Sequence, residues 1–114
     1  MEITRLQQEV TNLHADICSA LADPSRIMIL YALSEKNYTV NDLANALGVP
    51  QPTVSRHLKI LRDRNLVEAV RLGMNVEYHL ADHRLIEALD LLRGVMHDRI
   101  SDRASKVEEF IAKQ

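Results

Sequence analysis

The stretch Thr39–Asn65, TVNDLANALGVPQPTVSRHLKILRDRN, decides the fold. Thr39 with Asp42 three residues later resembles a capping box and predicts the start of a short helix, which Gly48 ends. Val49-Pro50-Gln51-Pro52 predicts a rigid connection. A second helix follows to about Asn65, because apolar residues recur at i, i+4 and i+7 from Val54. The pattern therefore predicts two helices joined by a tight turn at about residues 39–65.

The second of these helices has an apolar face and a polar face. At 100° per residue, Val54, Leu58 and Leu61 fall on the inner side. His57 lies at the edge of that side, where a packed, hydrogen-bonded histidine is the expected role. The outer side and the helix start carry amide, hydroxyl and cationic groups, which hydrogen-bond base edges and phosphates. We predict base contacts by Gln51, Thr53, Ser55 and Arg56, and phosphate contacts by Lys59, Arg62 and Arg64. A helix-turn-helix with its second helix in the DNA major groove fits this pattern.

A β-hairpin is predicted directly after this unit. Val67–Leu72 and Val76–Leu80 read as two strands, and Gly73-Met74-Asn75 reads as the loop between them. The hairpin forms a wing at about residues 67–80, on which Arg71 could reach the DNA backbone or the minor groove.

Long amphipathic helices are predicted at both ends of the chain, at about residues 3–19 and 83–111. Between the first of them and the helix-turn-helix, Asp23-Pro24 predicts the start of a further helix. The expected fold is mainly α with a β-hairpin wing, in the order α-α-α-α-β-β-α. The apolar stripes of the terminal helices lack a partner within this scheme; they consist of Ile3, Leu6, Val10, Leu13 and Ile17, and of Leu85, Leu89, Leu92 and Met96.

Length and composition restrict the possible functions. A chain of 114 residues with 46% apolar residues predicts one folded domain spanning residues 1–114. Neither a membrane span nor a signal peptide is evident, and the single cysteine cannot form an intrachain disulfide, so we expect a cytoplasmic protein. No motif of enzymatic quality occurs. The net charge is −2, but residues 51–73 carry five cations against two anions, which predicts a local anion-binding surface.

The order of the motifs resembles the ArsR/SmtB family. The resemblance spans about residues 5–100 and lies in Ala22–Ile27, Val40–Ala44, Thr53–Arg62, Leu66-Val67 and the wing at Gly73. It implies a dimeric winged helix-turn-helix repressor that leaves its operator when an effector binds. It also implies that the first and last helices form the dimer, which agrees with their unpartnered stripes. A twofold dimer requires a pseudo-palindromic operator in double-stranded DNA.

The effector is not evident from the sequence, because the metal sites of the family are altered. The family's Cys-Val-Cys is replaced by Thr39-Val40-Asn41, which excludes that thiolate site. The positions of the last-helix zinc site match Asp82, Arg84, Val95 and Asp98, which lack both nitrogen ligands. Two weaker candidates remain for nickel, cobalt or zinc. The first consists of His83, Glu87, Asp90 and His97 on one face of the last helix, paired across a dimer. The second is His14 with Cys18 on the first helix, which could act as two ligands or as a reactive thiol pair.

Each candidate has a simpler interpretation. A charged helix face is usually a solvated face, and a lone cysteine is often a packed side chain. A winged helix that binds another protein without contacting DNA is the alternative function. Salt dependence separates the two, because phosphate contacts release counterions and a protein interface shows little such effect.

Overall fold

The computed structural model describes residues 2–113. The elements follow the predicted order, with one unpredicted π-helical segment, and their bounds are α1 (Ile3–Leu13), the π segment (His14–Cys18), α2 (Pro24–Glu35), α3 (Val40–Leu47), α4 (Gln51–Asp63), β1 (Val67–Leu72), β2 (Asn75–Leu80) and α5 (Arg84–Ala112). The chain divides into two compact units, one ending at His83 and one beginning at Arg84.

The predicted helix caps of the first unit are present. The Asp23 carboxylate accepts from the backbone amides of Ser25 and Arg26 at 2.8 and 3.3 Å, and Pro24 occupies the first turn of α2. Thr39 Oγ1 accepts from the amide of Asp42 at 3.1 Å. These oxygens satisfy amides that have no partner within the helix. Gly48 ends α3 with φ of +66°, a left-handed conformation that favours glycine.

The prediction that Gln51 and Pro52 belong to the connection is wrong. Both residues lie in the first turn of α4, and Pro50 is its N-cap. A proline is tolerated in that turn because the amide it lacks would have no helical partner there. The turn between α3 and α4 is therefore shorter than predicted.

The core of the first unit lies between the helix-turn-helix, α2 and the wing. The predicted inner residues Val54, Leu58 and Leu61 are 0%, 1% and 0% exposed. They belong to a buried apolar set contributed by every element from α2 to β2, namely Ile29, Leu30, Leu33, Leu43, Val54, Leu58, Leu61, Leu66, Val67 and Leu80.

The wing is an antiparallel hairpin with a shorter loop than predicted. Leu72 pairs with Asn75, so Asn75 belongs to β2 and the turn consists of Gly73 and Met74. Gly73 has φ of +65° and Met74 does not have a positive φ, the combination typical of a type II′ turn. A glycine at the first turn position therefore permits the tight connection.

A short backbone bridge joins the wing to the start of the helix-turn-helix. Tyr38 and Tyr78 exchange two hydrogen bonds, of 3.1 and 2.7 Å between amide nitrogen and carbonyl oxygen. Because Tyr38 immediately precedes the N-cap of α3, the bridge ties the entry of this helix to β2.

The N-terminal helix is not the continuous α-helix predicted over residues 3–19. Regular α-helix ends at Leu13, and the next turn is π-helical. None of the eleven residues of α1, all within the described part of the chain, is buried. Four of the five residues of the predicted stripe are exposed, with Ile3 at 64% and Val10 at 51%. The fifth, Ile17, lies in the π segment and is half-buried.

The second unit is the single helix α5. His83 precedes its first residue, so the prediction that His83 lies on a face of this helix is wrong. Many of its large apolar side chains are more than half exposed, namely Leu91, Leu92, Val95, Met96, Ile100, Val107, Phe110 and Ile111. Throughout residues 2–113, helices with the length and apolarity to traverse a bilayer are absent.

Candidate nucleic-acid interface

The outer face of α4 presents most of the predicted contact residues to solvent. Gln51, Ser55, Arg56, Lys59 and Arg62 are exposed. Thr53 is half-buried. Because the opposite side of α4 is buried in the core, these side chains point away from the body of the first unit. The structure therefore gathers polar and cationic groups on one solvent-facing helix surface.

Weak local contacts hold two of the cations on this surface. Arg56 Nη2 donates to Thr53 Oγ1 at 3.3 Å, and Lys59 Nζ pairs with Asp63 Oδ2 at 3.0 Å. Such exposed pairs three or four residues apart contribute only about 0.2–0.5 kcal/mol. The cations can therefore exchange these partners for base edges or phosphates at little cost.

Three elements line a polar groove beside the start of α4. The groove has a volume of about 210 Å³ and is lined by Thr39, Val40, Asn41, Gln51, Met74, Asn75 and Val76. The starts of α3 and α4 and the turn of the wing therefore lie next to one another. The amides of Asn41 and Asn75, which are not among the predicted contact residues, share this groove with Gln51. The available signal for Asn41 was its place as the second residue of α3, directly after the capping Thr39 and Val40.

The wing brings one predicted residue and one unpredicted residue to its end. Arg71 is exposed, and its Nε donates to the Gly73 carbonyl at 3.4 Å. Met74 in the turn is 97% exposed. The wing tip thus carries a cation beside a fully exposed apolar side chain.

His57 has the packed, hydrogen-bonded position predicted for it. The side chain is half-buried, and its Nδ1 lies 3.4 Å from Arg26 Nη1. Arg26 also lies 3.9 Å from the Asp23 carboxylate. Burial raises the pKa of Asp23, but the hydrogen bonds from the Ser25 and Arg26 amides and the electrostatic effect of the nearby His57 and Arg26 side chains outweigh it, so the pKa lies below 3.8.

Arg64 is placed differently from the other predicted phosphate contacts. Its guanidinium donates to the Ala15 carbonyl and, at 3.2 Å, to Ser19 Oγ. It also lies 4.0 Å from the Asp16 carboxylate, and its side chain is 38% exposed. The guanidinium is thus directed at the π segment and the residue that follows it, and its phosphate contact stays a prediction.

The candidate metal ligands do not form a cluster within the described chain. Residues 2–113 contain no group of three or more His, Cys, Asp or Glu side chains arranged to hold a metal ion. His14 and Cys18 are both exposed in the π segment. On α5, Glu87 and His97 are exposed, and Asp90 Oδ1 pairs with Arg93 Nη1 at 3.3 Å. The donor set of one chain therefore does not fit a complete transition-metal site.

Comparisons with known proteins agree with this arrangement. Residues 23–69 match the family described as bacterial regulatory protein, arsR family. The HTH-type transcriptional repressor SmtB of Mycobacterium tuberculosis is 45% identical over 94 residues, which cover 82% of this chain and 70% of the repressor.

Solved structures of similar proteins share the fold. The crystal structure of M. tuberculosis Rv0081 has a TM-score of 0.74 and 32% identity, and the match covers 83% of this chain and 96% of the Rv0081 chain. The homodimeric winged helix-turn-helix DNA-binding domain Mb0332 from Mycobacterium bovis has a TM-score of 0.73 and 27% identity, with 87% and 91% covered. Residues 23–69, which match the family model, include α2, α3, α4 and the start of β1. This chain belongs to the ArsR/SmtB family of winged helix-turn-helix transcriptional regulators.

Proposed function

We propose that the protein is a homodimeric repressor that binds a specific DNA sequence through α4 and the wing. The observation that carries this proposal is the division of α4 into a buried apolar face and an exposed polar, cationic face. A helix is narrow enough to enter the major groove, where each base pair presents a distinct pattern of donors and acceptors. In this arrangement Gln51, Thr53, Ser55 and Arg56 contact bases, while Lys59 and Arg62 contact phosphates.

The wing extends this interface along the duplex. Asn41, Asn75 and Gln51 line one groove, so an α4 placed in the major groove brings the wing turn close to the DNA. Arg71 at the wing tip then reaches the backbone or an adjacent minor groove. Arg64 contributes least to direct phosphate binding, because its guanidinium is already engaged by the π segment and Ser19.

Exposed apolar side chains on both terminal helices support dimerisation. The stripe residues within α1 and most large apolar residues of α5 are solvent-exposed in a single chain, although Leu89 of the predicted α5 stripe is buried at 7% exposure. Exposed apolar surface of this kind marks protein interfaces. The M. bovis relative is a homodimer. A twofold dimer presents two copies of α4 to successive major grooves about 34 Å apart, which requires a pseudo-palindromic operator.

Selection of duplexes from a random-sequence pool tests this proposal directly. We expect the protein to enrich an inverted repeat, and to bind the enriched duplex with an affinity that falls steeply between about 50 and 200 mM salt. Sedimentation of the free protein at the same concentrations should show two chains per particle. Equal affinity for every duplex, or affinity without salt dependence, would instead support a protein-interaction module.

A further inference from the structure

The π segment makes a backbone carbonyl available to side-chain donors. The amide of Ser19 donates to the His14 carbonyl at 2.9 Å, five residues back instead of four. In an α-helix this amide would pair with the carbonyl of Ala15. That carbonyl accepts instead from the Ser19 hydroxyl, at 2.6 Å, and from the guanidinium of Arg64. The change of helix type thus creates the acceptor that Arg64 uses.

A second arginine holds the backbone just beyond the π segment. Arg26 Nε donates to the Ala20 carbonyl at 2.6 Å, and Arg26 Nη2 donates to the Ser19 carbonyl at 3.3 Å. The Arg26 side chain is 14% exposed and also lies against His57 in the middle of α4. Residues 15–20 are therefore held at two points. One is Arg26, which contacts His57 in α4, and the other is Arg64, which directly follows α4.

We propose that Arg64 is a positioning residue for DNA recognition, which fixes the C-terminal end of α4 to the backbone that follows α1. This proposal rests on the proposed function, because it concerns how the recognition helix is oriented. Arg64 is the C-cap residue of α4, whereas the predicted base contacts lie at the start of the helix. Arg26 supports the same orientation through His57.

Helix geometry shows why a contact at this end matters. The thirteen residues of α4 span about 20 Å at a rise of 1.5 Å per residue, so a rotation of about 3° at Arg64 moves the first turn by about 1 Å. Hydrogen bonds to base edges tolerate little displacement of this size. In a dimer joined through α1, the connection between α1 and α4 also sets the distance between the two recognition helices.

A positioning role and a phosphate contact predict different binding behaviour. A phosphate contact adds affinity for every duplex and contributes about one counterion to the salt dependence. A positioning contact contributes to the complex with the preferred sequence, in which the geometry of base contacts matters, and leaves the electrostatic attraction unchanged. Arg62 is exposed on the same helix and provides a matched comparison.

The test compares Arg64→Gln with Arg62→Gln on two duplexes, one selected by the wild-type protein from a random-sequence pool and one unselected. Arg64→Gln should weaken binding of the selected duplex about tenfold, the effect expected from one charge-assisted hydrogen bond. Its affinity for the unselected duplex, and the slope of that affinity with salt, should stay at wild-type values. Arg62→Gln should weaken binding of both duplexes and reduce the salt slope by about 1.

Ser19→Ala provides a second variant that keeps every charge. It removes one acceptor of Arg64, so it should weaken binding of the selected duplex by itself and add little in the Arg64→Gln background. If Arg64→Gln does not fold, the single Ser19→Ala variant decides the test: it should lose affinity for the selected duplex and keep wild-type affinity for the unselected one.

Three results would overturn the positioning role: wild-type affinity of Arg64→Gln for the selected duplex, a reduced salt slope in Arg64→Gln, or independent, additive losses from the Ser19 and Arg64 substitutions. Failure of the proposed function has a different signature, since the wild-type protein would then select no sequence at all.

Discussion

Substitution of Arg56 tests whether the start of α4 reads bases. Arg56 is exposed and donates a 3.3 Å hydrogen bond to Thr53 Oγ1. An exposed pair of this kind contributes about 0.2–0.5 kcal/mol to folding, so Arg56→Ala should lower Tm by only about 1–4 °C. If the guanidinium forms a bidentate contact with a base, the same substitution should cost about 1–3 kcal/mol in binding, which is about 5- to 150-fold in Kd.

Fluorescence anisotropy with the selected duplex and with single-base-pair variants of it provides the measurement. Arg56→Ala should lose the preference at one position in each half-site. Arg56→Lys should retain affinity for unselected duplexes but lose the same preference, because an ammonium cannot form the bidentate contact. Lys59→Ala is the control, since loss of a phosphate contact weakens binding of all duplexes alike. An unchanged base preference in Arg56→Ala would refute the assigned role.

Three further predictions concern stability and ligands. The pKa of Asp23 lies below its ordinary value of 3.8, so the carboxylate stabilises the fold above that pH, and this contribution is lost as the pH falls through the lowered pKa. Asp23→Asn should retain the helix cap near neutral pH but show a smaller loss of Tm on acidification. An acid profile identical to that of the wild-type protein would contradict this. Leu61 is 0% exposed, and Leu61→Ala should lower the free energy of unfolding in urea by about 2–5 kcal/mol, whereas Met74→Ala at the exposed wing tip should stay within about 0.5 kcal/mol. In equilibrium dialysis with nickel, cobalt or zinc, the described residues of one chain offer too few converging donors to retain an ion. An ion retained at micromolar concentrations by the wild-type protein but not by His97→Ala would therefore locate a site shared between two chains, and equal retention by both would exclude His97 as a ligand.

Local signals predicted much of the helical architecture. The capping oxygens of Asp23 and Thr39 and the left-handed Gly48 act within a few residues of their own position, so the sequence alone indicates them. The inner face of α4 was predictable for the same reason, because helical periodicity places its apolar residues on one side. All three residues predicted for that face are buried.

Errors arose where a residue is compatible with two local structures. Pro52 fits both a connection and the first turn of a helix, and the pattern did not separate them. Asn75 is common in turns, yet its pairing with Leu72 places it in β2.

The π segment was beyond local prediction for a different reason. One of the two side-chain donors to the Ala15 carbonyl is Ser19, four residues away, but the other is Arg64, 49 residues further along the chain. The orientation of Arg64 is visible only once the π segment and the end of α4 are brought together in space.

The paired amides of Tyr38 and Tyr78 have a mechanical consequence for DNA binding. A hinge motion of the hairpin alone would break two backbone hydrogen bonds, each expensive to leave unmade away from water. The hairpin and α3, the first helix of the helix-turn-helix, therefore move together. The distance between α3 and the hairpin therefore stays constant when the protein binds a duplex, and an effector that displaces one of these two elements displaces the other.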